Sequence, residues 1–145
     1  MIKRPYDIAR EELAKWEADP DGSGNKARIL EYDQCTTLKA TDPKVAWCAS
    51  FMNFCISGAR LTGCLIDEET KSAAAISWLK WGVSTDTPKE GDIVIFKRGV
   101  LSWTAHVSFV VKVNALTVTC LGGNQQNRVM VSNFLKARVL GYRKV

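Results

Sequence analysis

The hydrophobic period of this chain changes once, near Thr87, and that change restricts the available folds more than any other feature. Before it, apolar residues recur every three or four positions, as along one side of a helix. After it they come in short runs rich in Val, Ile, Leu and Phe, which have strand character. In the front part, Pro5 suits a first helical turn, and Ile8, Ala9, Leu13 and Trp16 form an apolar stripe among Arg10, Glu11, Glu12 and Lys15. ARILEY resumes the helical spacing, with Ile29, Leu30 and Tyr32 facing in. Asp42 and Pro43 read as the N-cap and first turn of a central helix carrying Cys48, Phe51, Met52, Cys55 and Ala59 on one side, ended by Gly58 or Gly63. Ser72 then caps a short helix, AAAISWLKW, which Gly82 closes.

In the back part PKEGD is a turn, and IVIF, AHVSFVVKV, LTVTCL, RVMVS and RVLGYR read as five strands, most of them joined by short links. Such a succession predicts an antiparallel meander. Helices followed by strands predict an α+β fold, with the central helix packed on a curled sheet of about five strands. At 145 residues, 46% hydrophobic and 24% charged, the expectation is one domain over residues 1–145 with one core. No apolar run is long enough to cross a bilayer, so membrane insertion is not expected. The start, MIKRPYDIAREELAKWE, is basic but has no apolar signal-peptide core, which predicts synthesis in the cytoplasm without a signal peptide, or export by a route that the sequence does not show.

The net charge of +5 suits a polyanionic partner: nucleic acid, anionic lipid or bacterial cell wall. The basic residues are dispersed, with no run of five and no nucleic-acid-reading motif, so no nucleic-acid partner is assigned. The five cysteines are odd in number and form no CxxC pair, and there is one histidine, so neither a structural metal nor a cofactor is expected. DPDGSGN, residues 19–25, begins like a calcium loop with Asp19, Asp21 and Ser23. Its twelfth position, however, is Leu30 rather than Glu, with Glu31 one step late, and the segment reads as a plain turn with calcium left open.

The stretch VAWCASFMNFC poses the functional question, whether Cys48 is a packed thiol or a nucleophile. A free thiol is only about 3% ionised at neutral pH, so a nucleophile needs an imidazolium or a helix N-terminus beside it. Cys48 lies early in its helix, and His106 is the one base the chain has to offer. His106 heads the strand AHVSFVVKV, where it shares a face with Ser108 and Val110, opposite Val107, Phe109 and Val111. In LGGNQQN, two glycines allow a tight turn that brings Asn124 back toward the histidine strand, where its amide oxygen could hold the ring in its working tautomer. The alternative is a Gly-Gly-Asn hairpin turn and nothing more. Cys55, two helical turns beyond Cys48, reads as a buried small hydrophobe, and Cys35, Cys64 and Cys120 as structural.

Taken together, DPKVAWCASFMNFC, SAAAISWLKWG, PKEGDIVIFKRG, AHVSFVV, LGGNQQNRVMVS and VLGYR resemble the CHAP (cysteine, histidine-dependent amidohydrolase/peptidase) group of papain-like bacterial wall hydrolases, in a single-domain branch like that of phage endolysins. The resemblance runs from about Ile29 to the C-terminus. It implies a papain-like α+β fold and cleavage of peptidoglycan amide bonds, either as an N-acetylmuramoyl-L-alanine amidase or as an endopeptidase of the stem and cross-bridge peptides. It also implies Cys48 as nucleophile, His106 as general base and Asn124 as the group that orients the imidazole. Gln125 is the substitute for Asn124, since other branches place Glu at that position, and Ala105 stands where members usually have Gly. Tyr32 or Gln34 would supply a second oxyanion donor, by analogy with papain-like sites.

Trp47, beside the nucleophile, and Trp103, beside the histidine strand, would wall a substrate groove, with core packing an equal alternative for Trp47. Tyr32 and Gln125 complete the expected substrate contacts. The expected protein is a monomeric hydrolase of peptidoglycan, made in an infected or producing bacterium and acting at the cell wall. The competing reading is a non-catalytic basic domain that binds cell wall or nucleic acid.

Overall fold

The computed structural model describes residues 1–19 and 25–145. Asp21 and Ser23 of the calcium-loop reading lie outside the described residues. Three helices come first: α1 (Pro5–Glu17), α2 (Asn25–Asp33) and α3 (Cys48–Leu61). A 3-10 helix, Ala75–Lys80, leads into six strands: β1 (Val83–Ser84), β2 (Ile93–Lys97), β3 (Ala105–Val113), β4 (Thr117–Gln125), β5 (Arg128–Leu135) and β6 (Val139–Lys144). The expected α+β fold with N-terminal helices is therefore what the chain adopts.

The sheet is antiparallel, in the order β1-β6-β2-β3-β4-β5. Strands β2 to β5 form the expected meander. The last strand does not continue it: β6 crosses to the far side of β2 and pairs there, with the two-residue β1 added beyond it. The crossing starts at the 3-10 turn Lys136–Arg138, where the Arg138 guanidinium donates to the carbonyls of Lys97 (3.0 Å) and Gly99 (3.4 Å) and ties the turn to the end of β2. Hydrophobic alternation identifies RVLGYR as a strand but carries no information about its neighbour, so this pairing was not readable.

Both faces of the sheet are covered near its centre. Ile93, Ile95, Val107, Phe109 and Leu121 pack against α3 on one side, while Val94, Phe96, Val110, Val118 and Cys120 form a smaller cluster on the other, closed by Phe134, Val139 and Tyr142. Val107 and Phe109 therefore face away from Val110, as the period-2 pattern requires. Helix α1 buries Ile8, Ala9 and Trp16 as expected, and also Glu12. That carboxylate is tolerated because it accepts from the Tyr32 hydroxyl at 2.7 Å and pairs with Lys15 and Arg28 at 2.8 and 3.3 Å.

Helix α3 begins later than its sequence suggests. Asp42 and Pro43 do not cap it: Asp42 closes a separate turn, accepting the Lys44 N–H on its side chain at 2.9 Å and the Val45 N–H on its carbonyl at 3.1 Å. The first helical residue is Cys48 itself, after Trp47 at φ −129°. At the other end Thr62 is the C-cap and Gly63, at φ +100°, stops the helix. Gly58 lies inside it for packing, since a Cβ there would come within 2.9 Å of Ile8 Cδ1. Ser72 accepts the Ala74 N–H at 3.1 Å just before the 3-10 helix that stands where an α-helix was expected.

Candidate active site

Cys48 is the first residue of α3, and Trp47 before it makes no side-chain capping bond. The leading amides of the helix thus have no side-chain partner, and their partial positive charge lies next to the thiol. The backbone N–H of Val107 and the His106 ring approach the sulfur from β3 and favour its ionised form. This approach is open because the β3–β4 ladder begins only at the Phe109–Leu121 pair, leaving the head of β3 without a partner in β4.

The next pair of strands carries a bulge. Along β4 and β5, Gly122 pairs with Met130 and Gln125 with Arg128, so three steps on one strand match two on the other. The extra residue reverses which side chains face the histidine. Unbroken alternation from Cys120 through Gly122 would put Asn124 on the His106 face. With the bulge, Asn124 takes a left-handed backbone (φ +56°) and Gln125 turns to the ring. The amide against the imidazole is therefore that of Gln125, whose Oε1 lies 3.0 Å from His106 Nε2, and not that of Asn124 as the sequence suggested.

Gln125 has only one workable orientation. Its Nε2 donates to the carbonyls of Cys120 (3.3 Å) and Met130 (2.7 Å), so Oε1 must face the other way, where it accepts from the Ser108 hydroxyl at 2.9 Å and from His106. His106 Nε2 is consequently the protonated nitrogen, and Nδ1 is left for the thiol. Phe134 packs on the ring at a centroid distance of 5.0 Å.

The two glycines of LGGNQQN serve a purpose other than the expected tight turn. Both lie within β4, and the left-handed turn residues are Gln126 and Asn127. A Cβ on Gly122 would collide with Ser108 Oγ and Gln125 Oε1. One on Gly123 would come within 2.6 Å of Phe51 Cβ and 2.8 Å of Trp47 Cζ3. Gly123 therefore sets how closely α3, with its thiol, approaches the bulged strand.

Electrostatics separates Cys48 from the other buried thiols. Burial pushes Cys35 up to about 11, Cys120 up to about 12 and Cys55 well above the ordinary thiol value. Burial would push Cys48 up too, but the hydrogen bond and charge of His106, the Val107 amide and the Arg98 cation outweigh it and bring the thiol down. Burial favours neutral His106, yet the bonds to Cys48 and Gln125 outweigh both that and the opposing Arg98 charge, and the imidazole is raised. Both shifts favour a thiolate–imidazolium pair.

Cys48 and His106 are buried, at 4% and 7% exposure, yet each lines a groove. The Cys48 groove, about 470 Å³, is walled by Ala46, Ala73 to Ala75, Ala105 and Trp103. The His106 groove, about 410 Å³, is lined by Phe134, Lys97, Arg138 and the amides of Asn124, Gln126 and Asn133. Arg98 lines both.

Among the expected substrate contacts, Trp103 stands in a groove wall and is 66% exposed. Trp47 does not: it is 1% exposed, stacked between Trp16 (5.6 Å) and Tyr32 (5.8 Å), because the helix start points its indole into the core. Tyr32 is fully buried, its hydroxyl bonded to Glu12 and Trp16, and cannot serve as an oxyanion donor or substrate contact. Gln34 is exposed and takes no part in either groove lining. Gln125 is buried, bonded to His106, and lines the His106 groove.

Three contributors were missed. Arg98 reads in sequence as one more dispersed surface charge. Ser108, on the His106 face, secures Gln125. Asn53, buried within α3, accepts the Lys71 N–H at 2.7 Å and donates to the Ser72 carbonyl at 3.0 Å, fixing the segment that supplies the alanine wall. A polar residue on the apolar side of a helix was the available signal for Asn53.

These elements define an α+β protein in which a helix-borne thiol and a strand-borne imidazole each line a groove, with Arg98 common to both. The chain belongs to the CHAP domain family, whose pattern matches residues 25–124. CHAP membership implies hydrolysis of the amidase or peptidase type, acting on peptidoglycan of the cell wall. No curated protein and no solved structure matches the chain. Among the described residues no helix is long and apolar enough to cross a membrane, and no cluster of His, Cys, Asp and Glu is arranged to hold a metal ion.

Proposed function

We propose that the protein cleaves an amide bond of peptidoglycan with Cys48 as nucleophile, His106 as general acid and base, and Gln125 as the residue that orients the imidazole. The observation that carries this reading is the place of His106, which favours ionisation of Cys48 on one side and has the Gln125 amide oxygen 3.0 Å from its Nε2 on the other, with Cys48 and His106 each lining a groove and Arg98 lining both.

The Cys48 thiolate attacks the scissile carbonyl, forming a C–S bond as the carbonyl electrons move onto oxygen. The resulting oxyanion lies at the start of α3, where the Cys48 N–H is a donor. The C–N bond then breaks, and the imidazolium passes its proton to the departing amine. Neutral His106 next takes a proton from water, the hydroxide displaces sulfur from the thioester, and the thiolate–imidazolium pair is restored. Gln125 stabilises the ring in both states because its oxygen accepts from Nε2–H throughout.

A basic CHAP chain of this size suits release onto the anionic wall as a phage endolysin, with lysis as the outcome. Zymography on bacterial walls tests the enzymatic reading. Clearing by the wild type and none by Cys48→Ala is expected, whereas clearing that survives the substitution removes the nucleophile. Absence of clearing in both returns the protein to the binding class. Mass spectrometry of the released fragments decides between amidase and endopeptidase by which new amine appears.

A further inference from the structure

The two grooves are chemically unlike, and the proposed reaction assigns one half of the substrate to each. A thioester on Cys48 leaves the acyl half on the sulfur side, and the proton given by His106 goes to the amine half. Cys48 lines only the alanine-walled groove and His106 only the other. The acyl half therefore meets short side chains and the edge of Trp103, while the leaving amine enters a groove whose lining holds three cations and no carboxylate.

The three cations are not equivalent. Arg138 is engaged with the Lys97 and Gly99 carbonyls. Lys97 lines the His106 groove alone. Arg98 lines both grooves, and none of the ion pairs among the described residues involves it. It stands on the hairpin between β2 and β3, whose other end is pinned by the Thr104 hydroxyl on the Arg98 carbonyl and by the Arg98 N–H on the Thr104 carbonyl at 3.1 Å. It lines the Cys48 groove and the His106 groove alike, and its charge lowers both the thiol and the imidazole. A planar cation with no ion pair among the described residues, in the lining of an amide-rich groove, is suited to bidentate capture of a carboxylate.

We infer that Arg98 determines specificity by binding a substrate carboxylate on the leaving-amine side of the scissile bond. The preferred substrate then carries a small acyl residue and departs as an acidic peptide. This inference rests on the proposed hydrolytic reading.

The test uses one wall preparation in two charge states: soluble peptidoglycan fragments before and after carbodiimide-driven amidation of their carboxylates with ammonia. With the wild type, amidation is expected to raise KM about tenfold or more with a smaller change in kcat, the usual scale for losing a charged hydrogen bond. Arg98→Gln should lose a similar factor on the acidic fragments and become indifferent to amidation, with Arg98→Lys intermediate and Lys97→Gln still discriminating like the wild type. Arg98→Gln that still discriminates as the wild type does, or discrimination lost in Lys97→Gln instead, overturns the inference.

A second readout needs no wall cleavage. The ratio of Cys48 alkylation by iodoacetate to that by neutral iodoacetamide should fall about tenfold in Arg98→Gln. The neutral reagent corrects for any change in thiol ionisation, and an unchanged ratio overturns the inference. Wild type inert toward both wall preparations defeats the hydrolase reading, while the alkylation ratio still decides the carboxylate site.

Discussion

The two halves of the candidate site are held by different means. The thiol half is placed by the backbone: α3 starts at Cys48 with no side-chain cap before it, and the Val107 N–H on β3 favours the ionised sulfur. The imidazole half is placed by side chains, with Gln125 and Ser108 bonded to each other and Phe134 lying along the ring. A backbone-built half tolerates substitution around it as long as the helix keeps its position. A side-chain-built half depends on each member, because every buried polar atom of Gln125 already has a partner.

Substitutions that probe this contrast fall in a clear order. Cys48→Ala removes the reacting atom and should lower wall hydrolysis by at least about 1,000-fold with the fold intact, as circular dichroism and turbidity loss will show. Gln125→Ala should cost about 10- to 100-fold in kcat, since the ring loses its tautomer control. It should also move the basic limb of the rate profile to lower pH.

The sign of that movement follows from the shifts. In the proposed mechanism the active pair is thiolate with imidazolium, so kcat/KM should be lost as pH falls through the lowered Cys48 value and again as it rises through the raised His106 value. Removing the Gln125 acceptor takes away one of the interactions that raise His106, and the upper limit drops.

Gly123→Ala challenges the backbone half. The new methyl meets Phe51 and Trp47, so thermal unfolding should report a loss of about 1–3 kcal/mol, together with lower activity as α3 is pushed from the bulge. Trp103→Ala should raise KM a few-fold and leave the melting temperature unchanged, because its ring is exposed. The smallest effect belongs to Asn124→Gly, which keeps the left-handed backbone and should leave kcat within about twofold. A large loss there, with little loss in Gln125→Ala, would restore Asn124 as the orienting residue.

The same contrast explains what the sequence disclosed. Helix α3, the strand at His106 and the meander follow from apolar periodicity, which reports whole elements, and pairing Cys48 with His106 followed because the chain has one histidine. The bulge between Gly122 and Gln125 left no periodic trace, so the reading of the two glycines as a tight turn pointed to Asn124, one residue too early. Gly122 and Gly123 signalled something unusual, but a glycine pair reads equally as a turn or as a close approach, and only the packed Phe51 and Trp47 decide between these. At Trp47 the sequence left groove wall and core packing as equal alternatives, which only burial decides, and Tyr32, offered by analogy with papain-like sites, is buried as well. Arg98 was invisible because a lone exposed arginine differs from its neighbours only in what it faces.

The thiol–imidazole pair itself is tested most directly by the pH dependence of iodoacetamide labelling at Cys48, with the modified residue located by mass spectrometry. Labelling should be selective for Cys48 at neutral pH and should rise with a midpoint below that of an ordinary thiol, and in His106→Gln that midpoint should move up. A wild-type midpoint at or above the ordinary thiol value, unchanged by His106→Gln, would contradict the account.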